Sequence, residues 1–378
     1  MKNYFSIAFL IIILTSISSA QETINATLMH DNIEREYIIY IPEKYNSQEA
    51  VPMVLNFHGY TSSATQQLFY GDFRSIADRE NFIVVHPQGT LDAFGNAHFN
   101  VGWGGSQIDD VGFTSALIDH IASTYNINLK RVYSTGMSNG GFMSYHLACN
   151  LSDKIAAIAS VTGSMSMPTF DNCALAKAVP ILEIHGNADA VVPYDGSAIA
   201  LPIEDVISFW ITQNNCSETP ITTPIEDIDT TDGSTVIHFI YQNGTNGSSV
   251  EHFFIDGGGH TWPGSNFLLD QTNYDIDASQ EIWRFFSQYD LDGIIESNSI
   301  EILSPKSNFQ IYPNPTTDFL DIIKEDATFK EYYIFSAQGK LMQTGTIEDI
   351  LSKIEISNLS KGVYFFTLGT HLKRFVVL

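Results

Sequence analysis

Residues 134–145 read S-T-G-M-S-N-G-G-F-M-S-Y. Three glycines, Gly136, Gly140 and Gly141, surround Ser138 at the start of a helix-like run. Inside a helix each glycine costs about 1 kcal/mol relative to alanine, so the cluster needs a backbone reason. A tight strand-to-helix turn that holds one side chain exposed and strained supplies that reason. G-x-S-x-G is the pattern of a nucleophile elbow, with Ser138 as the hydroxyl and Asn139 beside it. A plain glycine turn gives the same five letters, so the rest of the chain has to decide.

Outward from this stretch, strand-like and helix-like segments alternate from about residue 25 to residue 288. E-Y-I-I-Y-I-P (36–42), V-P-M-V-L-N-F-H-G (51–59), F-I-V-V-H-P (82–87) and R-V-Y-S-T-G (131–136) are β-branched or aromatic runs. I-A-A-I-A-S-V (155–161), P-I-L-E-I-H-G (180–186) and H-F-F-I-D-G (252–257) continue the series. Helices are predicted over 63–80, 110–125, 139–150, 203–213 and 278–288. Apolar strands separated by helices imply a mostly parallel sheet covered on both faces. With the elbow, this predicts an α/β-hydrolase fold, whose ligands sit at the carboxyl ends of the strands.

A serine hydroxyl attacks only if a base takes its proton and a carboxylate holds that base. In this fold the partners follow the serine in the order acid, then histidine. The strand at 180–186 runs into N-A-D-A-V-V-P, which places Asp189 in a strand-end loop. The strand at 252–256 ends in D-G-G-G-H-T-W-P-G, which places His260 in a glycine-rich loop at the same edge. His238 and His252 fall inside strands, Asp195 sits in a P-Y-D-G turn, and Asp256 is too close to His260. Ser138, Asp189 and His260 are therefore the expected nucleophile, acid and base.

Two backbone N–H groups must receive the oxyanion. One is expected from Asn139, the other from the loop H-G-Y-T-S (58–62), with Tyr60 preferred and Thr61 second. His58 precedes the serine and is read as shaping this loop. Trp103 is expected to line a substrate cleft, and Trp262 either to line it or to pack behind the histidine loop. The mechanism needs no metal or organic cofactor. D-x-D-x-x-D-G at 227–233 has the look of a calcium loop without its distal glutamate, and reads as a solvated acidic loop.

Several of these motifs together resemble a known family. H-G-Y at 58–60, D-D-V-G-F at 109–113, G-M-S-N-G-G at 136–141, H-G-x-x-D-x-x-V-P-Y at 185–194 and G-G-G-H-T-W-P-G at 257–264 resemble the polyhydroxybutyrate-depolymerase-like esterases. These are related to the feruloyl and acetylxylan esterases of carbohydrate esterase family 1. The resemblance implies a serine carboxylic-ester hydrolase acting through Ser138, Asp189 and His260 on an ester substrate. Feruloyl or acetyl esters of polysaccharide come first and polyhydroxyalkanoate second. Serine peptidase and non-catalytic binding protein are the rival classes, and an intact Ser, Asp and His weighs against the latter. Many members of the family pair a cysteine like Cys216 with one before the G-G-G-H loop. That stretch here is Y-Q-N-G-T-N-G-S-S-V, which leaves Cys216 unpaired.

The ends of the chain speak about export. Lys2, the apolar run Phe5–Leu14 and the small residues Ser18 and Ala20 form a signal peptide over 1–20, with Gln21 as the mature start. A hydrolase domain is expected over 21–288, a linker over 289–307, and a small all-β sandwich over 308–378 with turns at Asn314–Pro315 and Gln338–Gly339. I-Y-P-N-P-T-T-D-F-L, I-F-S-A-Q-G-K-L and K-G-V-Y-F-F-T-L in that tail resemble the C-terminal sorting domain of type IX secretion. That implies the type IX machinery as a partner, and release or attachment at the cell surface. In an oxidising compartment one disulfide is expected, Cys149–Cys173 in preference to either pairing with Cys216, since Cys149 ends the helix after Ser138 and Cys173 lies in the loop before the next apolar strand. With 43 acidic against 18 basic residues and a net charge of −25, binding to nucleic acid or an anionic membrane is excluded. No stretch is predicted to span a membrane.

Overall fold

The computed structural model describes residues 21–295 except 268 and 270. It also describes residues 309–378 except 325–329, 337–339, 348, 350, 369 and 370. The expected signal segment, most of the expected linker and the Gln338–Gly339 turn lie outside the described residues. Two compact units divide after Ile295.

In the first unit the chain opens with the hairpin β1 (Glu22–His30) and β2 (Ile33–Ile41), followed by β3 (Val51–Phe57) and β4 (Ile83–Pro87). A small ribbon of β5 (Thr90–Leu91) and β6 (Ala97–His98) leads to β7 (Ile127–Met137), β8 (Ala157–Val161) and β9 (Ile181–Gly186). Then come β10 (Ile221–Pro224), β11 (Thr235–Tyr241) and β12 (Val250–Asp256). All but the ribbon form one ten-stranded sheet in the order β1-β2-β4-β3-β7-β8-β9-β12-β11-β10. The central six strands run parallel. An antiparallel hairpin closes each edge.

Burial explains the arrangement. Every residue of β3, β4, β8 and β9 is buried, as parallel strands covered on both faces require. Edge strand β1 alternates exposed and half-buried residues, which is why its polar run E-T-I-N-A-T-L-M-H carried no strong strand signal. Helices α1 (Ala64–Tyr70), α2 (Arg74–Glu80), α3 (Asp110–Thr124), α4 (Asn139–Asn150), α5 (Met167–Asp171), α6 (Ile203–Asn214) and α7 (Ala278–Phe286) complete the unit. Neighbouring residues of β3 serve opposite cores. Leu55 belongs to the core that also holds Phe113, Phe142 and Trp210 from α3, α4 and α6, whereas Val54 belongs to the one that holds Ile76 and Trp283 from α2 and α7.

The helix predicted over 63–80 is two helices. Gly71 ends α1 by donating to Gln67 O, and Asp72 starts α2 by accepting from Arg74 N at 2.9 Å. The expected linker also begins later than residue 289. Tyr289–Asp290 pairs with Gly293–Ile294, and the buried Tyr289 hydroxyl meets Ser249 Oγ at 2.8 Å, so the first unit runs to Ile295. Among the described residues no helix is long and apolar enough to cross a membrane.

In the second unit Phe309–Tyr312, Phe319–Lys324 and Leu351–Glu355 make one antiparallel sheet. Glu331–Ser336, Leu341–Thr346, Gly362–Leu368 and His371–Val377 make a second. Its core contains Phe309, Leu320, Ile334, Phe366 and Phe375, with Tyr332 stacked on Phe366 at 5.2 Å.

Cys149 and Cys173 form the disulfide, joining the end of α4 to the segment after α5, and Cys216 is a buried free thiol. The bridge closes a loop of 24 residues, worth about 3 kcal/mol in the chain-entropy model. Replacing both cysteines by serine should lower the urea midpoint accordingly under oxidising conditions. An unchanged midpoint would show that the bridge adds nothing.

Candidate active site

Ser138 sits where β7 turns into α4, with φ 55° and ψ −120°, a conformation that non-glycine residues rarely hold. Its N–H donates to Val161 O at 2.9 Å, and its carbonyl accepts from Phe142 N at 3.0 Å. The glycines allow this crossing. A Cβ on Gly136 would lie 2.5 Å from Phe57 O, and one on Gly140 would lie 2.1 Å from the same atom. Strand β3 therefore ends directly against the elbow, and its loop carries the expected oxyanion donors.

That loop is fixed by His58. Its Nε2 accepts from Gly89 N at 2.9 Å, so Nδ1 carries the proton and faces Gly59 O at 2.7 Å. Burial, only partly opposed by the Gly59 contact, pushes His58 down to about 4, which keeps it neutral. The N–H of Thr61 is spent on Ala97 O at 2.9 Å. The N–H groups of Tyr60 and Asn139 have no acceptor among the described residues. A Cβ on Gly59 would lie 3.4 Å from Ser138 Cβ, so the loop passes beside the serine. The Asn139 side chain clamps Phe99, accepting from its N–H at 2.7 Å and donating to its carbonyl at 3.1 Å.

Asp189 and His260 meet. His260 Nδ1 lies 2.7 Å from Asp189 Oδ2, which makes Nδ1 the donor and leaves Nε2 as an acceptor. Asp189 Oδ1 accepts from Val191 N and Val192 N, each at 2.8 Å. Burial opposes the charge on Asp189. The His260 hydrogen bond and charge, then the Val192 amide, outweigh it and hold the carboxyl below its ordinary range. The two loops are laced together by Asn187, which donates to Asp256 Oδ1 at 2.8 Å and accepts from Gly257 N at 2.8 Å. This use of Asp256 leaves Asp189 as the carboxylate on His260. His238 bonds Glu251 at 2.8 Å, and burial pushes the strand residue His252 down to about 3.

A cavity of about 420 Å³ opens beside Ser138. Trp103 lines it, packed edge-on against Phe142 at 4.9 Å and donating to Ile199 O at 3.0 Å. Phe94, His98, Val191 and Ile199 also line it, and these were not singled out from the sequence. The apolar pair Val191–Val192, two residues beyond Asp189, was the available signal, and of the two Val191 is exposed. Trp262 takes the packing role. It is 1% exposed, packs against Phe73 and donates to Ser279 Oγ at 3.1 Å, so as a cleft-lining residue it is corrected.

Two of the three carboxylates of the acidic loop 227–233, those of Asp229 and Asp232, are spent on backbone. Asp232 accepts from Ser234 N and Tyr274 N, each at 2.8 Å, and Asp229 accepts from Thr231 N at 3.1 Å. Elsewhere, His30 Nε2 lies 3.7 Å from Asp31 and 3.6 Å from Asp109, and none of these three lines the cavity.

Comparison with known proteins adds to this geometry. A model of the phospholipase/carboxylesterase family matches residues 44–242. A model of the secretion system C-terminal sorting domain matches residues 310–377. Feruloyl esterase B of Piromyces equi is 32% identical over 186 residues, 49% of this chain and 34% of that protein. A bifunctional acetylxylan esterase/xylanase of Neocallimastix patriciarum is 31% identical over 173 residues, 46% of this chain and 24% of that one. The chain thus spans less than half the length of either relative. An acetyl xylan esterase from Aspergillus awamori superposes with a TM-score of 0.50 at 14% identity, over 70% of this chain and 99% of that one. At that identity the likeness speaks for the fold.

Proposed function

Because the chain belongs to the phospholipase/carboxylesterase family, we propose that it is a serine carboxylic-ester hydrolase with Ser138 as nucleophile and His260, held by Asp189, as base. His260 Nε2 takes the hydroxyl proton as Ser138 Oγ attacks the ester carbonyl. The oxyanion forms against the N–H groups of Tyr60 and Asn139. The alcohol leaves with the proton from His260, and water cleaves the acyl-enzyme by the same route. The hydrogen bond from His260 to Asp189 carries the reading, since it fixes the tautomer the base requires.

The sorting domain at 310–377 directs the chain by type IX secretion to the cell surface or the extracellular space, with that machinery as its partner. The substrate we propose is a feruloyl ester on polysaccharide, with acetyl esters second. Trp103, Phe142 and Phe94 give the cavity beside Ser138 an aromatic lining, which suits a planar aromatic acyl group. An acetyl group needs none of that room.

Rates on methyl ferulate, acetylated xylan and 3-hydroxybutyrate oligomers test the choice. Methyl ferulate is expected to be cleaved fastest. Fast cleavage of the hydroxybutyrate oligomers with negligible release of ferulate or acetate would overturn the polysaccharide reading and favour a polyester depolymerase.

A further inference from the structure

Strand β9 reads I-L-E-I-H-G, with Glu183 and His185 on one side of an otherwise apolar, fully buried run. Both side chains are completely buried. A buried carboxylate costs several kcal/mol unless it is paired and hydrogen-bonded. Glu183 is both. Its Oε1 lies 3.0 Å from His185 Nδ1, and its Oε2 accepts from the Tyr145 hydroxyl of α4 at 2.7 Å.

The other ring nitrogen points toward the site. His185 Nε2 lies 2.9 Å from Val192 O and 3.5 Å from Asp189 Oδ2. A carbonyl only accepts, so Nε2 must carry a proton. The ring therefore faces three acceptor oxygens, from Glu183, Val192 and Asp189, and this surrounding favours the doubly protonated form. The remaining titratable neighbours do not compete for that charge. Tyr194, at 6.0 Å, is raised beyond the working range by burial and its bond to Glu204, and burial with the nearby His185 charge holds His252 neutral.

We propose that Glu183 and His185 are positioning residues for Asp189. Glu183 fixes the His185 ring as an imidazolium whose Nε2–H is shared between Val192 O and Asp189 Oδ2, which holds the acid turned toward His260. The result is a second carboxylate–imidazole couple in series behind the first, buried from Tyr145 to Asp189. It also pins the 189–192 turn, since Val192 accepts from His185 through its carbonyl and donates to Asp189 through its amide. The direction for His185 agrees: burial lowers it, but the hydrogen bond and charge of Glu183 outweigh that and raise it.

The proposal rests on the esterase reading above, and its test separates the two. Glu183→Gln and His185→Gln are compared with the parent enzyme on p-nitrophenyl acetate, with circular dichroism to establish folding. Both variants should lose roughly tenfold to hundredfold in kcat with KM within about twofold, the signature of a displaced acid rather than lost binding. In Glu183→Gln the imidazolium is gone and the Asp189 charge beside the base is less screened. The acid limb of kcat/KM should then move up by about half a unit or more. In the wild type, nitrogen-15 NMR should show both His185 ring nitrogens protonated at neutral pH, a readout independent of whether either variant folds. Folded variants with wild-type kcat and acid limb, or a neutral His185 ring in the wild type, would overturn the proposal. An enzyme that hydrolyses no ester would instead refute the esterase reading, leaving the NMR to judge the pair alone.

Discussion

Ser138→Ala is expected to lower ester hydrolysis by roughly 10³- to 10⁶-fold, since the hydroxyl is the bond-forming atom of the proposed reaction. The variant should fold. The Ser138 side chain makes no capping hydrogen bond at the start of α4, and alanine meets the same positive φ that serine already bears. The strain at φ 55° is held by backbone contacts from Val161 and Phe142, which do not involve the side chain. Circular dichroism and an unchanged unfolding midpoint would establish the fold, and a stopped ester assay the loss. A variant retaining more than about a tenth of the parent rate would remove Ser138 from the mechanism.

Gly140→Ala should act on the fold itself. The new Cβ would lie 2.1 Å from Phe57 O, 2.6 Å from Phe57 C and 3.0 Å from His58 O, all backbone atoms that no rotamer change can move aside. Helix α4 and the end of β3 would have to separate at the centre of the sheet. Overpacking of this kind costs about 3 kcal/mol or more. The Tyr60 loop leaves β3 at this point, so residual folded enzyme should also lose turnover. Urea unfolding and soluble yield measure the first effect. A midpoint equal to that of the parent would contradict the close crossing of the elbow.

What the sequence disclosed and withheld follows from how local each signal is. Ser138, Asp189 and His260 lie just beyond the carboxyl ends of β7, β9 and β12, parallel strands of one sheet, so strand order alone carried them to one edge. The glycines around Ser138 were legible because a forbidden Cβ is a local constraint. Trp262 was ambiguous because its burial depends on Phe73 and Ser279, which the fold brings from distant parts of the chain. Strands β1 and β10, at the two edges of the sheet, were missed because polar or exposed residues weaken the pattern a buried strand shows. The break at Gly71 was visible as a glycine, but a helix tolerates one glycine, and only the capping by Gly71 and Asp72 decides the stop. Phe94 is 88% exposed on the β5–β6 ribbon, where composition carries no sign of a cavity wall. Glu183 was different. A carboxylate inside P-I-L-E-I-H-G was in plain view, and only the placement of Tyr145 and His185 gives it a partner.

The central claim is that an acyl group passes through Ser138, and covalent trapping tests it most directly. The enzyme is treated with a fluorophosphonate that stops at the first covalent step, digested, and the adduct located by mass spectrometry. The account predicts one adduct, on Ser138 within S-T-G-M-S-N-G-G, formed in step with loss of ester hydrolysis and absent in Ser138→Ala. An enzyme that loses activity with the adduct on another residue, or that stays fully active while Ser138 is modified, would contradict it.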